Sequence, residues 1–144
     1  MFVKKNDVVD VNIYFKQKNY KFLVLTAEDV EGRIKAKKLT EEQLKEEYTK
    51  VVIQMKVLSW GDYNDFQSHA QLTAPNGDRY FDYKTYKEDR LKKLIKSWDA
   101  VSQEDGKPVI VNEMSIMSLA PAIGDGIVKG YDELCFYDED KEKK

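Results

Sequence analysis

The only histidine and the only cysteine are the side chains best suited to nucleophilic or metal chemistry. These two residues, His69 and Cys135, are more than sixty positions apart. A Cys–His pair or a Ser-His-Asp triad could be assembled from such residues. The residues that flank His69, however, include neither a nucleophile elbow nor a set of metal ligands. We therefore expect His69 on a helix surface and Cys135 as a small buried apolar side chain.

Phosphate and metal sites are equally poorly indicated. Gly124-Asp125-Gly126 contains a glycine pair, but no strand is predicted before it, and the third glycine of a dinucleotide loop is absent. Several polar residues could offer oxygens to calcium, but they lack the spacing of an EF-hand loop. A single cysteine excludes an intrachain disulfide and a multi-cysteine zinc site. The sequence therefore predicts a protein that is not an enzyme, with no catalytic residue, no cofactor and no metal.

Aromatic side chains are concentrated in one short interval. Seven of them fall between residues 60 and 86: Trp60, Tyr63, Phe66, Tyr80, Phe81, Tyr83 and Tyr86. They could form a tyrosine-rich core in which the polar atoms find hydrogen-bond partners. They could equally form a protein-binding surface, because Tyr and Trp are favoured anchors at interfaces. Binding of nucleic acid by stacking of its bases on these rings is disfavoured. Such binding needs a net basic patch among the aromatic residues, and here aspartates lie among them instead.

The residues that we select as candidates for partner binding come from this interval and from the last predicted helix. They are Trp60, Tyr63, Phe66, Tyr80, Tyr86, Ile123, Ile127 and Tyr131. The chain has 24 basic and 26 acidic residues, which argues against binding to nucleic acid or to an acidic membrane. The first residues resemble neither a signal peptide nor a membrane span, so we expect a soluble intracellular protein.

Two alternating runs between residues 8 and 25 predict an N-terminal β-hairpin, with Asn19 in the loop. Such a hairpin is marginally stable alone and must pack on helices. Thr26 with Asp29 predicts a helix cap, and Thr40 with Gln43 predicts a second one. After the second cap, apolar residues recur at steps of three and four and predict one helix from 41 to 58: Leu44, Tyr48, Val51, Val52, Met55 and Leu58.

Gly61 is expected to end that helix and Asp62 to cap a shorter one. A further helix is predicted from Asp82 to Trp98, followed by a turn, a short extended stretch over 109–111 and a small helix capped by Asn112. The last predicted helix begins at Pro121 and includes three glycines, Gly124, Gly126 and Gly130. Glycine weakens a helix, so either the backbone packs closely against a neighbour here or a partner must order the helix.

These elements predict an α+β fold that is mainly α-helical, in which the N-terminal hairpin packs on a small helical bundle. Residues 1–137 are expected to form a single globular domain, since the chain has the length and apolar content of one core. Residues 138–144 are all Asp, Glu or Lys and are expected to form a charged disordered tail.

Residues 91–131 resemble a known family. A lysine-rich segment ends in Ser97-Trp98-Asp99, and it is followed by Asp105-Gly106-Lys107-Pro108-Val109, Val111-Asn112-Glu113 and Leu119-Ala120-Pro121. This layout resembles the C-terminal half of the tail assembly chaperones of long-tailed bacteriophages and of the related baseplate hub assembly proteins. Residues 58–64, Leu-Ser-Trp-Gly-Asp-Tyr-Asn, are also similar to the contractile-tail group.

The resemblance implies a non-enzymatic bacteriophage tail or baseplate assembly chaperone. Such a protein would bind apolar or helical stretches of tape-measure or hub proteins in the host cytoplasm before virion assembly. The alternative is a structural tail, baseplate or connector subunit that is retained in the virion. Either function is compatible with a protein that forms a homo-oligomer.

Overall fold

A four-stranded antiparallel sheet is the centre of the fold in the computed structural model, which describes residues 1–136. The strands are β1 Val8–Lys18, β2 Lys21–Thr26, β3 Thr49–Lys56, β4 Gln71–Thr73, β5 Arg79–Phe81 and β6 Ile95–Trp98. The helices are α1 Ala27–Lys35, α2 Glu41–Glu47, α3 Trp60–His69, α4 Tyr83–Leu94, α5 Glu113–Met117 and α6 Pro121–Cys135. The central sheet has the order β2-β1-β3-β6, and β4 and β5 form a separate hairpin. The predicted tail, residues 138–144, and the last residue assigned to the domain lie outside the described residues.

The N-terminal hairpin is confirmed. Strands β1 and β2 pair in antiparallel register out to Lys18 and Lys21, which leaves a two-residue loop. Asn19 takes a φ of 58° in this loop, a conformation that asparagine tolerates better than most residues. The hairpin therefore forms at the predicted place, but it is half of a larger sheet.

The predicted helix over residues 41–58 is wrong after its first two turns. Helix α2 ends at Glu47, and residues 49–56 form β3, which pairs with β1 along its whole length. The same segment also contains an alternating set, Val51, Ile53 and Met55, within a β-branched run that favours a strand. These residues lie opposite apolar residues of β1, and that long-range pairing decides between the two periods. The prediction of a mainly helical bundle is therefore wrong, because the sheet organises the core.

The predicted helix from Asp82 to Trp98 is also too long. Helix α4 ends at Leu94, and the residues up to Trp98 form β6 beside β3. The carboxylate of Asp99 accepts a hydrogen bond of 2.8 Å from the backbone N–H of Val52, which extends this pairing. The indole N–H of Trp98 donates to the carbonyl of Val109 at 2.7 Å. The Ser-Trp-Asp motif thus holds an edge strand.

The start of α3 differs from the prediction as well. The hydroxyl of Ser59 accepts from the N–H of Asp62, so Ser59 is the N-cap and the helix begins at Trp60. Gly61 therefore lies inside the first turn and ends no helix. The caps predicted at Thr26, Thr40 and Asn112 are confirmed, with reciprocal side-chain hydrogen bonds at each.

Helices cover both faces of the central sheet. On one face the apolar side chains of β1 and β3 are completely buried with residues of α3, α4, α5 and α6. On the other face Leu25 packs with Val30, Leu39 and Tyr48, which come from α1, the following loop and the end of α2. The second cluster fixes the two short helices beside β2, and the first contains the main core.

Helix α6 packs directly against the central sheet, and its glycines allow this. A Cβ atom on Gly130 would lie 2.8 Å from Cγ1 of Val11, and one on Gly126 would lie 2.5 Å from Cγ1 of Val24. Both distances are shorter than contacts between carbon atoms in real structures. Close packing of α6 on the sheet therefore explains why these two positions are glycine. The helix is also tied to α1, since Lys129 pairs with Asp29 at 3.0 Å.

Candidate partner-binding site

An apolar groove lies at the end of the central sheet where β1 begins and β3 ends. It has a volume of about 590 Å³, within the roughly 300–1,000 Å³ of typical binding pockets. We call it the Trp60 groove. Its lining residues are Val9, Val57, Leu58, Ser59, Trp60, Tyr63, Leu134, Cys135 and Phe136.

One wall is the start of α3, and Trp60 is its most exposed side chain. The Ser59 cap fixes Trp60 at the first position of the helix, and 82% of Trp60 remains exposed. An exposed tryptophan leaves one of the largest apolar side chains in water, which is the arrangement expected of a binding anchor. Lys56 and Asp62 form an ion pair of 3.3 Å across the turn that leads into this wall. The pair sits beside the apolar lining and leaves the groove itself uncharged.

The opposite wall is the C-terminal end of α6. The side chains of Leu134 and Phe136 are exposed here, and the ring of Phe136 lies 6.0 Å from that of Tyr63 on α3. This ring contact joins the two walls directly. Because large apolar groups are exposed on both sides, a partner that entered the groove would remove them from water together.

A buried arginine supports the wall formed by α6. The guanidinium of Arg90 on α4 lies over the rings of Tyr86, Tyr131 and Phe136, at 5.2, 5.0 and 5.7 Å from their centroids. Only 2% of Arg90 is exposed, and its terminal nitrogen donates to Asp132 at 2.5 Å. The planar cation is stabilised by aromatic faces and by one carboxylate. This cluster fixes the position of α6 relative to α4.

The base of the groove is held by the hydroxyl of Tyr131. This hydroxyl donates to the carbonyl of Lys56 and accepts from the N–H of Leu58, each at 3.0 Å. Burial raises the pKa of Tyr131 above its ordinary value of 10.0, so the hydroxyl stays protonated at neutral pH and can make both bonds. The connection between β3 and α3, which forms the floor beside Trp60, is therefore fixed to α6.

Of the two residues considered for catalysis, Cys135 lines the groove and His69 does not. Cys135 lines the groove, where burial raises the pKa of its thiol and makes it a poor nucleophile at neutral pH. His69 is mostly exposed, does not line the groove, and binds the carboxylate of Asp89 through Nδ1. Within residues 1–136 no group of three or more His, Cys, Asp or Glu side chains could hold a metal ion.

The structure brings together only two of the eight candidate partner-binding residues, Trp60 and Tyr63. Ile123 is half-buried against the core, and Tyr80 is exposed on β5; neither lines the groove. The other four are buried in the core: Phe66, Tyr86, Ile127 and Tyr131. Tyr86 and Tyr131 support the site through Arg90 without facing it.

Sequence reasoning did not identify the other walls of the groove. Val9, Val57 and Phe136 meet only when α6 packs on the sheet, and no local pattern indicates that contact. A signal did exist at the end of α6, where Leu134 and Phe136 extend the apolar surface beyond the face that contacts β1 and β2. Apolar residues on two faces of a helix indicate a second contact.

None of the helices in residues 1–136 is both long and apolar enough to cross a membrane. Comparison of the chain with protein-family models, with curated proteins and with solved structures gives no match.

Proposed function

We propose that this chain is a non-enzymatic bacteriophage tail or baseplate assembly chaperone. It binds an apolar helical segment of a tape-measure or hub protein in the host cytoplasm during virion assembly. The single observation that most supports this proposal is the Trp60 groove, an uncharged apolar concavity with an exposed tryptophan on its rim. The resemblance of residues 58–64 and 91–131 to such chaperones supplies the identity of the partner.

The two resembling segments have different parts in this proposal. Residues 58–64 form the floor and one wall of the groove, so they are the part that contacts the partner. In residues 91–131, Trp98 and Asp99 hold β6 on the central sheet, and Tyr131 fixes the floor. The first segment therefore supplies the binding surface, and the second supplies the framework that shapes it.

The groove fits the chemistry of an amphipathic helix. Apolar side chains at positions i, i+3 and i+4 of a partner helix would enter between Trp60 and Phe136, in the common helix-in-groove mode. Burial of apolar surface contributes roughly 25 cal/mol per Å² before the cost of ordering is subtracted. A tape-measure or hub segment that aggregates alone would be kept soluble because its apolar face is covered.

Co-expression with the tape-measure or hub protein of the same virus tests the proposal. We expect the partner to be soluble and to co-purify with this chain, and to aggregate when the chain is absent. A partner that is equally soluble without the chain, and that never co-purifies with it, would contradict the proposal.

Mass spectrometry of purified virions distinguishes a chaperone from the structural alternative. A chaperone is expected to be absent from finished particles or substoichiometric in them. A structural tail, baseplate or connector subunit would be present in a symmetric copy number.

A further inference from the structure

A cluster of lysines covers one face of the β1–β2 hairpin and extends onto β3. Residues 11–27 contain three lysines and no acid, although the whole chain has slightly more acids than bases. These lysines are Lys16, Lys18 and Lys21, and Lys50 joins them from β3. We call these four residues the lysine face. The local charge is therefore positive in a chain whose net charge is −2.

The pairing register places the four lysines on the same face of the central sheet. Side chains two residues apart on a strand share a face, and so do residues directly opposite each other in an antiparallel pair. Lys18 is opposite Lys21, while Tyr14 is opposite Lys50. Tyr14, Lys16 and Lys18 alternate along β1 and therefore share this face. The ammonium of Lys50 lies 5.9 Å from the centroid of the Tyr14 ring, which confirms the arrangement.

The charges of the lysine face are only partly balanced within the fold. Lys16 lies 5.1 Å from the ring centroid of Tyr48 and reaches Glu47 at 4.0 Å, the outer limit of an ion pair. Among the residues that the structure describes, neither Lys18 nor Lys21 has an acidic partner. These two exposed side chains are directly opposite each other, and like charges at such positions destabilise a sheet. A local arrangement that opposes folding is typical of a functional site.

We propose that the lysine face binds a short, extended protein segment with acidic side chains at alternate positions. Lys16 and Lys18 are two strand residues apart, a separation of about 7 Å, and alternate side chains of an extended segment have the same spacing. Successive carboxylates of the segment therefore meet successive ammonium groups. Binding also relieves the repulsion between Lys18 and Lys21, because a carboxylate is brought to both.

Two observations favour an acidic protein segment over nucleic acid. The 26 acids of the chain repel a long polyanion, whereas a short segment contacts only the lysine face. Leu23 is opposite Lys16 on the same face, and 37% of Leu23 is exposed. An apolar residue within the contact is ordinary in a protein interface, and a phosphate backbone has no group to cover it.

Peptide binding to the purified full chain at low salt tests the inference. The probe is a fluorescent peptide of about eight residues, roughly 26 Å long when extended, in which glutamate alternates with threonine. The control peptide has glutamine in place of each glutamate. We expect the glutamate peptide to bind, to shift the amide NMR signals of residues 14–23 and 50, and to be released by added salt. The glutamine peptide should not bind.

Lys21→Glu is the most informative variant, because it should change stability and binding in opposite directions. A glutamate opposite Lys18 replaces a repulsive pair with an attractive one, so the melting temperature should rise. The same change should weaken binding of the glutamate peptide at least about tenfold. Lys18→Gln removes one cation without adding an acid and should also weaken binding.

The matched control is Lys84→Glu, which makes the same change of charge at an exposed position of α4. Helix α4 packs on the other face of the central sheet, so this variant should bind the glutamate peptide like the original chain.

Equal binding of the two peptides, or no binding of either at millimolar concentration, would overturn the inference. Variants Lys21→Glu and Lys18→Gln that both bind as tightly as the original chain would overturn it as well. So would tighter binding of a single-stranded oligonucleotide with the same number of negative charges, because nucleic acid would then be the preferred ligand. The lysine face and the Trp60 groove lie at opposite ends of β1, so the inference does not depend on the proposed function. Its failure would leave the co-expression result unaffected.

Discussion

Gly130 of α6 and Val11 of β1 are in contact so close that the glycine cannot acquire a side chain without a shift of its neighbour. A Cβ atom at Gly130 would lie 2.8 Å from Cγ1 of Val11, which is completely buried. Gly126 has the same relationship with Val24 at 2.5 Å. The end of α6 forms one wall of the Trp60 groove, so this contact also sets the position of that wall.

We therefore predict that Gly130→Ala destabilises the fold. The extra methyl group overpacks the interface at a cost of roughly 1–3 kcal/mol, which exceeds the gain of about 1 kcal/mol in helix propensity. Gly124→Ala is the matched control in the same helix, because its Cβ would meet Leu91 at an ordinary 3.7 Å. It should stabilise by about 0.5–1 kcal/mol. Urea denaturation of both variants measures these changes, and equal effects of the two would contradict the assignment.

The hydroxyl of Tyr131 is predicted to stabilise the floor of the groove. Tyr131→Phe keeps the buried ring but leaves the N–H of Leu58 and the carbonyl of Lys56 without this partner, so we expect a loss of about 1–3 kcal/mol. Tyr20→Phe removes the hydroxyl of an exposed tyrosine and should change the free energy of unfolding by less than about 0.5 kcal/mol. Thermal melts compare the two; similar small effects would show that water replaces the hydroxyl.

Arg90 is predicted to need its planar guanidinium in addition to its charge. Arg90→Lys keeps a cation near Asp132 but loses the flat contact with three aromatic rings, so we expect destabilisation by about 2 kcal/mol. Arg33→Lys makes the same substitution at an exposed position of α1 and should be nearly neutral. If Arg90→Lys is also neutral in denaturant titrations, the aromatic contacts contribute nothing.

Glu133 is predicted to make stability depend on pH. Burial and the nearby acids Glu28 and Asp29 raise the pKa of Glu133 above its ordinary value of 4.5, against the hydrogen bond from the hydroxyl of Thr26. A raised pKa means that the folded state favours the protonated carboxyl group. The contribution of Glu133 to stability is therefore fully present below about pH 4.5, and it is lost as the pH rises through the pKa of Glu133 in the folded state. We therefore expect Glu133→Gln to be more stable than the original chain at pH 7.

The advantage of Glu133→Gln should shrink as the pH falls from 7 towards 4.5, and thermal melts across this window measure it. Asp29 also makes stability depend on pH, but in a more acid range than Glu133 does. Although burial alone would raise the pKa of Asp29, the N–H of Thr26 and the ammonium of Lys129 lower it beneath 3.8. Its stabilising contribution is therefore lost only at more acid pH. A difference between Glu133→Gln and the original chain that does not change with pH would contradict the assignment.

Local signals in the sequence predicted several individual elements, although the predicted fold class is wrong. The hairpin, the caps at Thr26, Thr40 and Asn112, and the start of α6 at Pro121 all depend on residues close together in the chain, and all are confirmed. The failures involve contacts between distant residues. Residues 49–56 fit both a helix and a strand, and pairing with β1 some forty residues earlier selected the strand. Similarly, β6 follows α4 without a break and is defined only by its pairing with β3.

The candidate site likewise combines features that nearby residues determine with features that depend on contacts between distant residues. Trp60 and Tyr63 could be selected because aromatic residues near a helix start are visible in the sequence. Phe66 and Tyr86 belong to the same aromatic interval, but the packing of α3 and α4 places them in the core. The wall formed by α6 depends on the close contacts of its glycines with β1 and β2, and no periodicity of the sequence encodes those distances.

The measurement that tests the central claim most directly is the affinity of the tape-measure or hub protein for the Trp60→Asp variant. Because Trp60 is 82% exposed and an acidic residue is favourable in the first turn of a helix, this variant should fold normally. We predict that it binds the partner at least about tenfold more weakly than the original chain, while Tyr20→Asp binds normally. Unchanged affinity of Trp60→Asp would show that the Trp60 groove is not the binding site.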